Sequence, residues 1–308
     1  MKQIFKQVKN FLFDKQIRFG YLSTLGFYNW IPDDIYLKKE FKVRMGNELN
    51  LNNPQTFNEK IQWLKLYDRH PEYTMMVDKY AAKQYVASKI GDDYIIPTLG
   101  VWTKFDDIDF DKLPNQFVLK CTHDSGGLVI CKDKSTLDIN SAKRKIEHCL
   151  KRKYYYIHRE WPYKNVPPRI IAEKYMTDNV NTSTNETLKD YKFYCFDGKV
   201  RFLMINSDRN SKMSTKADYF DRDFNWLDFT WGYEHANVRP VKPDCFDEMI
   251  SISEKLSKGL PHVRVDLYEC NGQIYFGELT FYDGSGFDKI EPIEWDYKIG
   301  KMLKLPSK

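Results

Sequence analysis

The stretch Val263-Arg264-Val265-Asp266-Leu267, followed after a short gap by Tyr275-Phe276-Gly277-Glu278-Leu279-Thr280, sets the reading of this 308-residue chain. Alternation with a period of two sends Arg264 and Asp266 to one face of a strand and Val263, Val265 and Leu267 to the other. Cys270-Asn271-Gly272 supplies the turn that folds the next strand alongside the first. Glu278 and Thr280 then stand together near the first pair. Two carboxylates, a hydroxyl and a guanidinium thus converge on one sheet face. Oxygen ligands of this kind, completed by phosphate, are what Mg²⁺ prefers. A solvated face carrying an ordinary cross-strand ion pair has the same spacing, and spacing leaves both readings open.

Two further segments lie upstream. Phe117-Val-Leu-Lys120 and Leu128-Val-Ile-Cys131 read as a hairpin around Thr122-His-Asp-Ser-Gly-Gly127. A strand lysine can aim its ammonium at phosphate oxygens, and small loop residues let backbone N–H groups approach them. The spacing matches neither the Walker loop nor the dinucleotide-binding glycine pattern, and a bare Gly-Gly turn is common. Ile170-Ile-Ala-Glu-Lys-Tyr-Met176 reads as an apolar strand whose exit could line a purine pocket, or as an edge strand. Further strands are expected over 191–196 and 201–206, joined by Asp197-Gly198, and over 263–269 and 273–278. Helices are expected over 78–90, 139–153 and 244–258, and at Ile61–Tyr67 behind a Thr56/Glu59 capping box. Antiparallel hairpins interleaved with helices define an α+β layout and exclude a run of βαβ units.

Composition narrows the class. Apolar residues make up 42% and charged residues 30%, which excludes a fibrous or wholly disordered chain. A net charge of +5 is too small to indicate nucleic acid without clustering. Aromatic residues reach 16%, a surplus that suits a core or a groove stacking on sugar faces. Residues 207–240 read as a mobile loop and acceptor-binding part, with Arg209, Lys212, Lys216 and Arg222 beside Tyr219, Phe220, Trp226 and Trp231. Residues 1–20 put Ile4, Phe5, Val8, Phe11 and Leu12 on one helical face opposite lysines, as in a helix packed on its own domain or at a membrane interface. Residues 143–164 carry eight Lys or Arg against two Glu, interleaved with Tyr154, Tyr155, Tyr156 and Trp161. This mixture suits a solvated helix end, an anionic glycan or lipid headgroups, or single-stranded nucleic acid. Six cysteines without a C-x-x-C pair, no apolar leader-type core and no 18-residue apolar run point to a reducing cytoplasm. His123 is the nearest general-base candidate, or a loop-orienting group; His262 reads as structural.

Together these segments resemble the ATP-grasp superfamily, and within it the TupA-like ATP-grasp proteins of bacterial surface-polysaccharide clusters. The resemblance rests on Thr56-Phe-Asn-Glu-Lys-Ile-Gln-Trp63, Lys120-Cys-Thr-His123, Asp190-Tyr-Lys-Phe193 and Gly277-Glu-Leu-Thr-Phe-Tyr282 followed by Gly284-Ser-Gly-Phe287, and it spans roughly residues 30–305. It implies an ATP-grasp fold, two α+β lobes enclosing a nucleotide cleft, preceded by a mainly helical N-terminal region. The expected units are 1–75, helical; 76–175, the small lobe with a flanking helix; and 176–308, the lobe with the metal and phosphate site.

The resemblance also implies site roles. Lys79 and Lys120 match the two nucleotide lysines, and Ser125, Gly126 and Gly127 the loop over the phosphates. Glu173, Lys174, Tyr175 and Met176 match the adenine hinge, Asp190 the ribose ligand, and Lys192 lies in the same nucleotide strand. Arg264 matches the phosphate arginine, and Asp266 and Glu278 the Mg²⁺ carboxylates. Thr280 stands where the family has asparagine, and Asp283 where proline is expected. With ATP and Mg²⁺ as cofactors, the implied enzyme is a carboxylate–amine ligase. It would join an amino acid or amine to the carboxylate of a sugar or polysaccharide, a uronic acid, through an acyl phosphate in capsule synthesis. No nucleic acid is expected; peripheral contact with the inner membrane face or a lipid-linked glycan is. The alternatives are a nucleotide-sugar-dependent glycosyltransferase, the label such relatives often carry, and a non-catalytic binding protein.

Overall fold

The computed structural model describes residues 11, 13–177, 189–207 and 215–307. Most of the amphipathic reading over residues 1–20, together with Arg209 and Lys212, lies outside them. The chain begins with helices α1 (Lys15–Thr24), α2 (Asp33–Met45), α3 (Phe57–Tyr67), α4 (Glu72–Val77) and α5 (Ala81–Ile90). The capping box that opens α3 forms as the spacing predicts. Glu59 N–H donates to Thr56 Oγ1 at 3.2 Å, and Thr56 N–H to Glu59 Oε2 at 3.1 Å.

A four-stranded sheet follows, made of β1 (Thr98–Trp102), β2 (Phe117–Cys121), β3 (Leu128–Cys131) and, after helix α6 (Ile139–Leu150) and the short helix α7 (Tyr155–His158), β4 (Ile170–Lys174). Its order is β1-β4-β2-β3, with every pair antiparallel. Alternation in β2 drives Phe117, Leu119 and Cys121 against Ala142, Ile146 and Cys149 of α6, which form a core of their own. Val118 and Lys120 are left for the opposite face.

The second sheet contains β5 (Asp190–Phe196), β6 (Lys199–Ser207), β7 (Lys216–Asp221) and β8 (Trp226–Leu227). After β9 (Thr230–Trp231) and helix α8 (Phe246–Ser257), strands β10 (His262–Cys270) and β11 (Gln273–Thr280) complete it. The order is β11-β10-β5-β6-β7-β8. Helix α8 covers one face, where Phe193 packs its ring on Phe246. The other face is divided. Near Phe196 and His262 it is covered by Phe57 of α3 and by Trp231; around Lys192 and Asp266 it opens toward the first sheet. Strand β12 (Ile290–Glu291) pairs with β9, and helix α9 (Ile293–Met302) ends the fold.

The structure corrects the reading of residues 207–240. Among the described residues of that stretch, 216–221 form a strand inside the large sheet. Tyr219, Phe220 and Trp231 are buried. Lys216 pairs with Glu234 at 2.5 Å and Arg222 with Glu254. Period-two alternation fails there because Ala217, Asp218, Tyr219 and Phe220 are all buried on both faces. Three of the four rings that suggested sugar stacking are core, and Trp226 is partly buried against it.

The polar residues of α3 act as a clasp for the C-terminal segment. Asn58 Nδ2 donates to Asp296 Oδ2 at 3.0 Å, Lys60 Nζ to the Gly300 and Leu303 carbonyls at 2.8 Å each, and Gln62 Nε2 to the Gly286 carbonyl at 2.8 Å. At the far end of β10, His262 Nδ1–H donates to the Cys195 carbonyl at 2.9 Å. Burial pushes the pKa of this imidazole from 6.5 down to about 4. Between those values the unfolded chain takes up a proton that the folded one refuses, so stability falls as pH drops from about 6.5 to 4. The loss over the whole interval should reach about 3 kcal/mol. Urea unfolding across this pH range should show it, and His262→Gln should flatten that part of the profile.

Candidate functional site

The two sheets face one another across a cleft of about 300 Å³. The small-sheet wall carries Lys120, Glu173 and the loop from Asp124 to Leu128; helix α5 adds Lys83 and the turn before it Lys79; the large-sheet wall carries Asp190, Lys192, Asp266 and Glu278. Ile95, Ile96, Tyr163, Phe276 and Leu279 supply apolar lining.

On the small-sheet wall, β2 and β4 are in register with Val118 opposite Glu173, so Lys120 and Glu173 share the cleft face. The buried Glu173 carboxylate lies between two ammonium groups. Lys120 Nζ is 2.6 Å from Oε2 and Lys83 Nζ 2.5 Å from Oε1. Burial alone would raise the Glu173 carboxyl, but Lys120 and Lys83 hold it below the usual range. Burial pushes Lys83 down from its ordinary value, against the pull of Glu173. Lys79 fixes the loop, its N–H donating to the Thr122 carbonyl at 3.1 Å and its Nζ to the Asp124 carbonyl at 2.6 Å. Gly127 permits a close approach to α6, since a Cβ there would lie 2.5 Å from Cys149 Sγ.

On the large-sheet wall, Lys192, Asp266 and Glu278 stand opposite one another on adjacent strands β5, β10 and β11. The Glu278 position depends on a bulge. Asp266 pairs with Glu278 but Leu267 with Phe276, so Gly277 is the extra residue. Unbroken alternation from Ile274 and Phe276, both buried, would have turned Glu278 and Thr280 toward the same side as those two. The bulge reverses that and brings them beside Asp266.

Asp266 is buried and bound twice. Lys192 Nζ approaches Oδ2 at 2.5 Å, while Arg264 donates from Nε to Oδ1 at 2.7 Å and from Nη2 to Oδ2 at 2.8 Å. Burial would raise its carboxyl, and Arg264 and Lys192 together hold it well down. Arg264 Nη2 also reaches Glu278 Oε1 at 3.2 Å and Thr280 Oγ1 at 3.1 Å. Its Nη1 donates to Asp283, which also accepts from Tyr194 Oη. Lys192 contacts Asp190 Oδ2 at 2.6 Å.

Several residues singled out in the sequence stand apart from the cleft. Arg264 sits behind the two carboxylates rather than on the lining. His123 is buried within the loop, outside the lining, and burial lowers its pKa. Lys174 is exposed, and its N–H donates to the Pro97 carbonyl at 3.0 Å. Tyr175 and Met176 are partly exposed beyond the end of β4. Conversely, sequence reading gave Lys83 no role and took Asp283 only as a departure from an expected proline. Lys83 had a usable signal, since it follows Lys79 by four residues and so shares a helix face. Asp283 had none, because its partner Arg264 lies on another strand.

Among the described residues, no group of three or more His, Cys, Asp or Glu is arranged to hold a metal ion. Asp266 and Glu278 nevertheless form an all-oxygen pair with Thr280 beside them. A site of one or two carboxylates completed by phosphate oxygens and water is the usual Mg²⁺ arrangement, and these residues fit it.

A cleft between two antiparallel sheets, each wall pairing cations with a carboxylate, is the arrangement the ATP-grasp resemblance implies. The chain belongs to the TupA-like ATPgrasp family, whose model matches residues 59–304. No curated protein sequence matches it. Among solved structures it is similar to D-alanine–D-alanine ligase from Bacillus anthracis complexed with ATP, at 18% identity, 67% coverage of this chain, 55% of that one and a TM-score of 0.40. It is also similar to the L-amino acid ligase from Bacillus licheniformis, at 14% identity, 74% and 49% coverage and a TM-score of 0.45. The D-alanine–D-alanine ligase from Helicobacter pylori matches at 12% identity, 81% and 69% coverage and a TM-score of 0.43. The chain spans about half the length of the first two.

Two stability predictions follow from these walls. Glu173→Gln leaves two ammonium groups facing each other without their anion and should cost about 1–3 kcal/mol in urea unfolding, Lys120 being partly solvated. Gly277→Ala would place a Cβ 2.9 Å from the Tyr268 ring and 3.0 Å from the Asp266 carbonyl. Its midpoint should fall by an amount equivalent to about 1–3 kcal/mol.

Proposed function

We propose that the protein is an ATP- and Mg²⁺-dependent carboxylate–amine ligase joining an amino acid or amine to the carboxylate of a sugar, a uronic acid, in cytoplasmic synthesis of capsule or another surface polysaccharide. The observation that carries this reading is the meeting of Lys79, Lys83 and Lys120 with Asp266 and Glu278 in one cleft. Membership of an ATP-grasp family supports the nucleotide. The sugar carboxylate rests on the resemblance to proteins of surface-polysaccharide clusters.

In this reading the ammonium groups of Lys79 and Lys120 bind the triphosphate, with the backbone of Ser125, Gly126 and Gly127 over it. The nucleoside lies between Glu173 on β4 and the apolar lining at Ile95 and Ile96, with Asp190 and Lys192 toward the ribose. Asp266 and Glu278, with Thr280, would hold Mg²⁺, which when bound neutralises phosphate charge. Arg264 acts from behind, fixing both carboxylates. The carboxylate oxygen of the acceptor attacks the γ-phosphorus and ADP leaves. The amine nitrogen then attacks the acyl carbon, phosphate departs and the amine loses its proton. His123 is not given the proton-transfer step.

Isothermal titration should detect ATP binding that requires Mg²⁺, and Lys120→Ala should abolish it; turnover should fall by about 10²–10³-fold or more, the usual effect of removing one positioned donor. Candidate uronates and amino acids supplied with ATP and Mg²⁺ should release ADP in step with a product of the mass of the amide. Unchanged ATP affinity in the variant would remove Lys120 from its role. Hydrolysis of a nucleotide sugar without ATP consumption would assign the protein to the transferases instead.

A further inference from the structure

Ser125 and Gly126 stand exposed at the tip of the loop joining β2 to β3, while Asp124, one residue earlier, is 1% exposed. A loop tip of small residues is ordinarily among the most mobile parts of a chain. Here a buried side chain underlies it and is held from several directions. The Asp124 carbonyl accepts from Lys79 Nζ at 2.6 Å. Its Oδ1 accepts from the Ser125 N–H at 2.7 Å and from Arg152 Nη1 at 3.1 Å. The same Nη1 reaches the Ser125 carbonyl at 3.4 Å.

Arg152 comes from the C-terminal end of α6. It lies two residues past Leu150, and its N–H donates to the Cys149 carbonyl at 3.0 Å. The helix is bound to the small sheet through Ala142, Ile146 and Cys149. The Arg152 side chain is 30% exposed, whereas that of Asp124 is wholly buried. Among the described residues Arg152 makes the one ion pair with this carboxylate. A buried carboxylate stripped of its cation is costly, so lifting the loop away from α6 breaks the pair that makes burial of Asp124 tolerable. With the Ser125 N–H taken by Asp124, no acceptor among the described residues takes the Gly126 or Gly127 N–H. Those two groups are the ones the loop can offer to an anion.

We propose that Arg152 is a positioning residue for nucleotide binding: through the Asp124 carboxylate it holds the 124–127 loop against α6, so that the Gly126 and Gly127 N–H groups face the phosphates. The inference rests on the ATP reading of the cleft and adds to it a residue that touches no ligand. Charge alone predicts the opposite role for Asp124, which lines the cleft, since an anion there repels a triphosphate.

The test is isothermal titration of Mg·ATP into the full chain and three variants. Asp124→Ala removes an anion from the cleft wall and leaves no buried charge unpaired, because Arg152 is partly solvated. Relief of repulsion would tighten ATP binding; loss of the loop's anchor should weaken it by about tenfold or more. Arg152→Gln should weaken it to a similar degree. Arg152→Gln/Asp124→Ala should fall within about twofold of Asp124→Ala, because the two residues act as one unit. That last comparison carries the test if Arg152→Gln alone does not fold. Amide hydrogen exchange over residues 122–128 should quicken in Asp124→Ala while β10 and β11 keep the wild-type rate. Unchanged or improved ATP affinity in Asp124→Ala overturns the proposal, and so does exchange that quickens throughout the chain. A double variant much weaker than Asp124→Ala also overturns it, since Arg152 would then touch the phosphates itself. Wild type that does not bind Mg·ATP removes the nucleotide reading and this inference with it; binding by wild type with indifferent variants removes this inference alone.

Discussion

The large-sheet wall depends on a carboxylate that has been taken out of water. Asp266 is buried, and only the simultaneous approach of Lys192 and Arg264 keeps it ionised. Breaking one partner of such a group is costly, whereas replacing the whole set with apolar residues is often neutral or stabilising. The network is therefore weak grounds for stability and strong grounds for placement. Its members come from β5 and β10, with Glu278 and Thr280 of β11 joined through Arg264, so three strands must be in one register. Arg264 uses Nε, Nη1 and Nη2, and Asp283 supplies a further anion from beyond the end of β11.

The small-sheet wall repeats the device with different elements. Glu173 on β4 stands between Lys83 on α5 and Lys120 on β2, as Asp266 stands between Lys192 and Arg264. Each wall thus carries a desolvated carboxylate clamped by two cations, and the cleft between them is lined by groups whose positions are fixed in advance. Charges held in place before a ligand arrives need no reorganisation when it does, which is where electrostatic stabilisation gains most. The small-residue loop is tied to the same frame through Lys79.

Other residues that carry the family resemblance hold the frame. Asn58, Lys60 and Gln62 of α3 spend their polar groups on Asp296 and the backbone of residues 286–303. They join the N-terminal helices to the C-terminal segment that follows β11. The basic and aromatic stretch around Tyr154–Arg159, which in sequence was open between a solvated helix end and a site for an anionic partner, is fastened by Arg159 to those same helices.

The α+β class, the three hairpins and the α3 capping box were legible in the sequence because they are local: each follows from alternation, turn chemistry or cap spacing within a few residues. The aromatic surplus was ambiguous because a ring has the same composition signature in a core as in a groove, and only the placement of β7 inside the large sheet made Tyr219 and Phe220 core. The bulge at Gly277 decided which way Glu278 faces, against the alternation of its own strand. Lys83, Asp283 and the withdrawal of Arg264 from the cleft surface were settled by contacts between residues far apart in the chain. Spacing can say that a carboxylate and a cation share a face; which cation neutralises which carboxylate depends on register and desolvation, and those exist only once the sheets have formed.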